Sequence, residues 1–242
     1  MKTINAVIFG LAIVIASFLL GNAYMKRSQA NGSISVTGLG TVDFESDLIV
    51  WSGSFETTNN NMQQAYTEIE KHKDVIKKYL TSKGIKQEEI VFEAIRSGYV
   101  YEDNYSPEGK YIGQKKVGFR LTQSLTISSY DVNTVENVSR EVTELLQQGI
   151  KFYSNPPSYY YTKLADLKLE LIQMATDDAH TRAKKIAVNS GSKLGKLLDA
   201  KMGIFQITGQ NSEEEYTWGG AFNTHSKFKT ASITVRLVYR VK

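Results

Sequence analysis

The chain contains no cysteine. That excludes a disulfide framework, thiolate metal ligation and a cysteine nucleophile. It leaves the compartment open, because exported proteins without disulfides are common. Histidine occurs three times, at His72, His180 and His225. They fall on separate predicted elements. Asp177 lies three residues before His180, a pair read as a solvated helix face rather than a metal motif. A Gly-x-Ser-x-Gly elbow is missing. Residues 190–196, Ser-Gly-Ser-Lys-Leu-Gly-Lys, lack the spacing of a phosphate loop and follow a helix, so they read as a helix stop. No catalytic, cofactor-binding or metal-ligating residue is therefore assigned, and the reading is of a non-enzymatic protein without a cofactor.

A strong charge of either sign is also missing. The formal balance is +4, and without Lys2, Lys26 and Arg27 it is 26 basic against 25 acidic residues. That near-neutral remainder gives no support for a nucleic-acid partner. Proline is scarce, with three residues at two sites. Pro107 lies in a Ser-Pro-Glu-Gly turn, and Pro156-Pro157 interrupt a short extended piece in the manner of a sheet edge or bulge.

One long apolar run is present. Residues 4–20 carry no charge and follow Met1-Lys2. As a helix the run is about 25 Å long, near the lower limit for a bilayer span. The reading favours an uncleaved N-terminal membrane anchor. The alternative is an export signal cut after Ala23, since Gly21-Asn22-Ala23 has the small-x-small pattern. Either way, residues 1–27 form an address, 28–32 a polar linker and 33–242 one domain lying outside the cytoplasm.

Within that domain the dominant stretch runs from Leu164 to Gly195. Ala175, Ala179, Ala183 and Ala187 recur every fourth residue, which places them in one stripe of a long amphipathic helix. Such a small-residue seam admits close approach of a sheet or of a neighbouring subunit's helix. Gly191 fits the left-handed residue that ends the helix. Two further helices are predicted over 62–83 and 131–148, stopped by Gly84 and Gly149. Alternating segments fill the rest. The order is β-β-α-β-β-α-β-α-β-β after an N-terminal hydrophobic helix. The fold class is α+β, a mainly antiparallel sheet with long helices packed on one face. Residues 209–226, with Glu213-Glu214-Glu215 beside Tyr216 and Trp218, read as a mobile polar loop.

Tyrosines concentrate at Tyr99, Tyr101, Tyr105 and Tyr111, and again at Tyr159-Tyr160-Tyr161. Cross-strand aromatic pairs contribute about 0.5–1 kcal/mol each to a sheet. The same residues suit a partner surface, being amphipathic. The first four are the candidate partner surface, and the four seam alanines are a candidate interface.

An ordered set of short motifs resembles the SIMPL domain family, formerly catalogued as a domain of unknown function. The set begins with Ile34-Ser-Val-Thr-Gly38-Leu-Gly40-Thr-Val and Lys83-Gly84-Ile85. It continues through Val117-Gly118-Phe119-Arg120, Leu125-Thr-Ile127 and Gly149-Ile150. The four alanines with Gly191, Leu194 and Gly195 follow, and Ala231-Ser-Ile-Thr-Val closes it. Family members often carry Pro-Asp after the first Gly-x-Gly, where this chain has Glu45-Ser46-Asp47. The family includes a periplasmic immunogenic protein and an enterobacterial protein linked to oxidative stress. The resemblance implies an exported or envelope-anchored protein, a homo-oligomer that is ring- or channel-like in at least one member, and no catalytic residues. The resulting reading is a self-associating envelope protein, a scaffold or a ring- or channel-like assembly with a link to stress; the alternative is a module binding an envelope ligand or partner through the tyrosine-rich hairpin.

Overall fold

The computed structural model describes residues 2–29, 32–215 and 217–242. Helix α1 (Lys2–Gln29) precedes two antiparallel sheets. The first sheet is built from the ends of the domain. It has the order β1-β10-β8, with β9 also on β10: β1 (Ser33–Glu45), β8 (Leu194–Met202), β9 (Gln206–Gly209) and β10 (Phe228–Val241). The second sheet is inserted between β1 and the long helix. It comprises β2 (Leu48–Asn59), β3 (Ile90–Phe92), β4 (Arg96–Tyr105), β5 (Tyr111–Ser129), β6 (Lys151–Ser154) and β7 (Ser158–Tyr160). The α+β class and its mainly antiparallel pairing hold. Alternation reveals which side of a strand is buried but not which strands pair, and the strands divide into two sheets rather than one.

Each sheet carries helices over a hydrophobic layer of its own. In the second, α2 (Met62–Ser82) and α3 (Val132–Glu141) bury Ile69, Ile76, Leu80, Val135 and Val138 against Trp51, Phe55, Leu125 and Ile127. Asn61 caps α2 by accepting from the Gln63 and Gln64 amides at 2.9 and 3.2 Å. Residues 131–148 do not form one helix. After Glu141 the chain tightens to a 3-10 segment over Val142–Gln148, where three-residue spacing aligns Val142 and Leu145, both fully buried. In the first sheet, α4 (Leu164–Asn189) packs Leu171 and the alanine stripe against Val36, Ile233, Val235 and Leu237. The three glycine stops share one geometry. Gly84, Gly149 and Gly191 have φ of 96, 77 and 71°. The next amide in each case reaches back to close the helix, Ile85 to Leu80, Ile150 to Leu145 and Ser192 to Ala187.

The alternating segments 89–105 and 196–208, expected as single strands, are each broken at one point, and the segment 150–161 is broken where Pro156-Pro157 were expected to interrupt it. Between β3 and β4, residues 93–95 face 123–124 of β5. Between β6 and β7, residues 155–157 face 51–52 of β2. Between β8 and β9, residues 203–205 face 233–234 of β10. One surplus residue in each place ends the ladder locally, as in a β-bulge.

The two sheets join where β1 runs into β2. Asp47, beside the position where the proline is missing, accepts from the Thr162 amide at 2.8 Å and its hydroxyl at 2.7 Å. The Asp47 amide donates to Tyr160 at 3.0 Å. Lys227 pairs with Glu45 at 3.1 Å. Lys229 is buried at this junction and donates to the Tyr159 carbonyl. Burial pushes its ammonium down to about 8, with Glu214 acting in the opposite sense. Burial also pushes the Tyr159 phenol up to about 12, helped by the hydrogen bond it donates to Glu136 at 3.0 Å.

Candidate functional site

The four candidate tyrosines are brought together on a two-stranded ribbon. β2 holds β5 only over residues 119–129, so residues 111–118 have β4 as their partner. At about 3.3 Å per residue, that eight-residue stretch extends the ribbon roughly 26 Å past the sheet. Its tip is a turn in which the Gly109 amide reaches Ser106 at 2.9 Å and the Ser106 amide reaches Lys110 at 2.8 Å. Gly109 supplies the required φ of 80°.

Tyr99, Tyr101 and Tyr105 are two residues apart or a multiple of two along β4, hence on one face. Register shifts at Val100/Tyr101 and Asn104/Tyr105 re-phase β5 twice, placing Phe119 opposite Tyr99, Lys116 opposite Tyr101 and Tyr111 opposite Tyr105. The result is two aromatic clusters on one face, Tyr99 with Tyr101 and Phe119, and Tyr105 with Tyr111, separated by Asp103, which accepts from the Gln114 side chain at 3.0 Å. Ring centres lie 6.3 Å apart for Tyr99 and Tyr101, and 5.8 Å apart for Tyr105 and Tyr111, both edge-on. The Lys116 ammonium sits 3.8 Å from the Tyr99 ring centre and 4.1 Å from that of Phe119, close enough for cation–π attraction to both. All four tyrosines and Ile112 are more than half exposed.

The other tyrosine cluster is structural. Tyr159 is buried at the inter-sheet junction and Tyr161 packs on Phe44 at 4.8 Å. The seam alanines Ala175, Ala179, Ala183 and Ala187 are fully buried. Their partner is the chain's own first sheet: a Cβ on Gly38 would lie 2.1 Å from the Ala175 carbonyl oxygen, and one on Gly40 would lie 2.3 Å from that of Leu171. The stripe is thus occupied within the chain and is not presented to a neighbour.

A cleft of about 860 Å³ lies over the outer face of the first sheet, lined by Thr37, Leu39, Ile204, Trp218 and Thr234, with Arg182 at one side. Gln206 holds its roof, donating to the Thr217 carbonyl at 2.9 Å and accepting from the Ala221 amide. The stretch 209–226, expected to be mobile, is therefore tied down at several points. Glu214 accepts from the Gly209 amide at 3.0 Å and from the Asn223 side chain, so this carboxylate serves the loop rather than a ligand. Tyr216 lies outside the described residues. Trp218 projects almost wholly into solvent.

The histidines remain apart, with His180 edge-on to Tyr239, ring centres 5.9 Å apart. Among the described residues no cluster of three or more metal-ligating side chains occurs. Sequence reasoning did not find the Asp47–Thr162 clasp or Lys229. The partners in both cases lie far apart along the chain.

A family model described as SIMPL, "Protein of unknown function (DUF541)", matches residues 34–239. The chain belongs to the SIMPL family. No curated protein matches it in sequence. The matched span covers both sheets and α2 to α4, and leaves out α1. Within α1, Ile8–Met25 has a mean hydropathy of 2.0 and none of it is buried. It is long and apolar enough to cross a membrane. Family membership with such a helix is consistent with an extracytoplasmic, N-terminally anchored or secreted SIMPL protein.

Proposed function

We propose that this SIMPL protein is a non-catalytic envelope component, anchored through residues 1–27 and joined by 28–32 to a domain over 33–242, that self-associates through the β4–β5 ribbon. The observation that carries the reading is the pair of exposed clusters, Tyr99 with Tyr101 and Tyr105 with Tyr111, on one face of an arm whose residues 111–118 pair with β4 alone among the described strands. An isolated two-stranded ribbon is marginal in water. Covering one face with a copy of itself supplies the missing layer, and tyrosine is favoured at such contacts. The homo-oligomer implied by the family resemblance points the same way.

The test is the mass of the intact protein in detergent, with and without Y101S/Y105S/Y111S. The triple variant is expected to weaken association by about tenfold or more, since buried aromatic anchors dominate interfaces. A wild-type chain that stays monomeric at the highest attainable concentration would end this reading. A second reading keeps the ribbon but gives it an envelope polymer as partner. Lys116 set between two rings favours it, since that embeds a cation in the aromatic face. Here the triple variant loses polymer binding while its mass matches that of the wild type.

A further inference from the structure

The free edge of β1 has a feature that neither the ribbon nor the family assignment explains. β1 is thirteen residues long and pairs with β10 alone among the described strands. Antiparallel pairing turns alternate residues towards the partner. Gly32 and Ser46 bond to the β10 side, so Ser33, Ser35, Thr37, Leu39, Thr41, Asp43 and Glu45 turn their amides and carbonyls outward. Such an edge is a template for pairing with another chain, and proteins usually blunt it with lysine, proline or a charge. Residues 33–42 contain none of these.

Two α4 side chains stand at that edge instead. The Leu39 amide donates to Asp178 Oδ2 at 2.9 Å. Arg182 Nη1 donates to the Thr37 carbonyl at 3.3 Å. The two side chains pair with each other at 2.9 Å. A carbonyl at one residue and an amide two residues later are the groups that a single residue of a parallel neighbouring strand engages, donating to the first and accepting from the second. An antiparallel neighbour needs the same two groups. The Asp178–Arg182 fork thus stands in for one strand residue. Asp178 is short, and it reaches the edge because α4 lies unusually close to β1: Gly38 and Gly40 have no side chains to hold it off, and Ala175 and Ala179 have almost none. Accepting from the Leu39 amide, and then from Arg182, holds the Asp178 carboxyl below its usual range.

We propose that the Asp178–Arg182 pair is an edge guard: it occupies the backbone groups that a strand of a second copy of this chain would take on β1, and so keeps that edge out of self-association. The guard does not depend on the ribbon reading, because the groups concerned belong to β1 alone.

The test is residue-resolved amide hydrogen exchange on the intact protein in detergent, at low and high concentration, for wild type, D178A/R182A and the swap D178R/R182D. The swap keeps an ion pair but aims a donor at an amide. In wild type the Leu39 amide is protected, and Ser35 and Thr41 exchange rapidly at every concentration. In both variants Leu39 protection is expected to fall by about tenfold or more at low concentration, as for loss of a charge-assisted hydrogen bond. At high concentration Ser35, Leu39 and Thr41 should all gain protection as β1 pairs with a second copy. Association through the ribbon leaves these amides untouched and does not mimic the result. Loss of Leu39 protection with no concentration-dependent gain in the swap variant would overturn the proposal, reducing the pair to a local cap. Unchanged Leu39 protection in both variants would overturn it too. Asp178 and Arg182 lie beside the buried stripe of α4 and not in it, so both variants are expected to fold; if D178A/R182A does not, the swap carries the test.

Discussion

Gly38→Ala puts the packing of α4 on β1 to a direct test. Gly-to-Ala in a strand ordinarily stabilises by roughly 0.5–1 kcal/mol, because alanine loses less backbone freedom on folding. Gly98 on β4 is a fair control, since a Cβ there meets nothing within 4 Å, and G98A is expected to follow that rule. At Gly38 the added carbon would sit 2.1 Å from the Ala175 oxygen, 2.5 Å from the Ala179 nitrogen and 2.8 Å from the Ala179 Cβ. Two of these three are backbone atoms in the middle of a long helix, so no rotamer change relieves them. A tolerable carbon–oxygen contact needs about 1 Å more, and moving α4 by that much loosens the layer around Leu171 and Ile233. Overpacking of this kind costs about 1–3 kcal/mol, and the backbone clash places G38A at the upper end. For a domain of this size that lowers Tm by roughly 6–12 °C. The assay is thermal or denaturant unfolding of G38A and G98A beside the wild type. A179G should restore little, because the shortest contact is with the Ala175 carbonyl. A G38A protein as stable as the wild type would mean that α4 does not lie against β1 as described.

Other outcomes follow from the same contacts. Lys229 has a folded-state pKa of about 8, below its ordinary 10.5, so between those values the unfolded chain binds more protons and stability rises with pH. Tyr159, raised from 10 to about 12, reverses the sign: above pH 10 the folded state holds the proton and stability falls. Denaturant unfolding across pH 7–12 should therefore peak near pH 10, and K229M should flatten the rising limb, worth about 3 kcal/mol at most. An unchanged rise in K229M would place the lysine in water. D47A removes both acceptors of Thr162 and should cost about 1–3 kcal/mol of unfolding free energy, whereas D47N, which keeps an acceptor, should cost less. Deleting residues 1–31 should leave the Tm of the remainder within a degree or two, since none of Ile8–Met25 is buried, while abolishing membrane retention on fractionation; a large loss of Tm would place α1 in the core.

What was legible in the sequence was whatever depends on neighbours along the chain. The fourfold alanine spacing, the three glycine stops and the Ser-Pro-Glu-Gly turn are local patterns. Each appears in the structure with the expected backbone geometry. The tyrosine hairpin was legible for the same reason, as two alternating runs around a turn. Four kinds of feature were not legible. The strand breaks at 93–95 and 203–205 depend on a two-residue stretch of another strand, whereas the one at 155–157 was announced by Pro156-Pro157. The division into two sheets depends on pairing, and β1 pairs with the far end of the chain. The polar junction was hidden because Lys229, unremarkable on an alternating strand, is buried only once Tyr159 is carried beside it. The tightening of 142–148 to a 3-10 turn likewise answers to burial of Val142 and Leu145, not to propensity.

The seam and the guard share one physical cause, and that makes their coupling measurable. If closeness of α4 to β1 is what lets the short Asp178 side chain reach the Leu39 amide, a carbon that pushes the helix away should disable the guard without altering Asp178 itself. A double-mutant cycle expresses this. In the wild-type background D178A removes a hydrogen bond to a charged acceptor, worth about 1.5–3 kcal/mol at most, tempered because the site is solvent-exposed. In the G38A background the 2.9 Å contact should already be stretched beyond hydrogen-bonding range, so D178A should then cost close to nothing. The expected coupling is about 1 kcal/mol, within the range seen for residues in one packed network. Leu39 exchange should agree, with G38A alone deprotecting the amide as far as D178A does. Strict additivity of the two substitutions, with Leu39 still protected in G38A, would separate the two features. The alanine stripe would then be packing alone, and the edge contact would owe nothing to it.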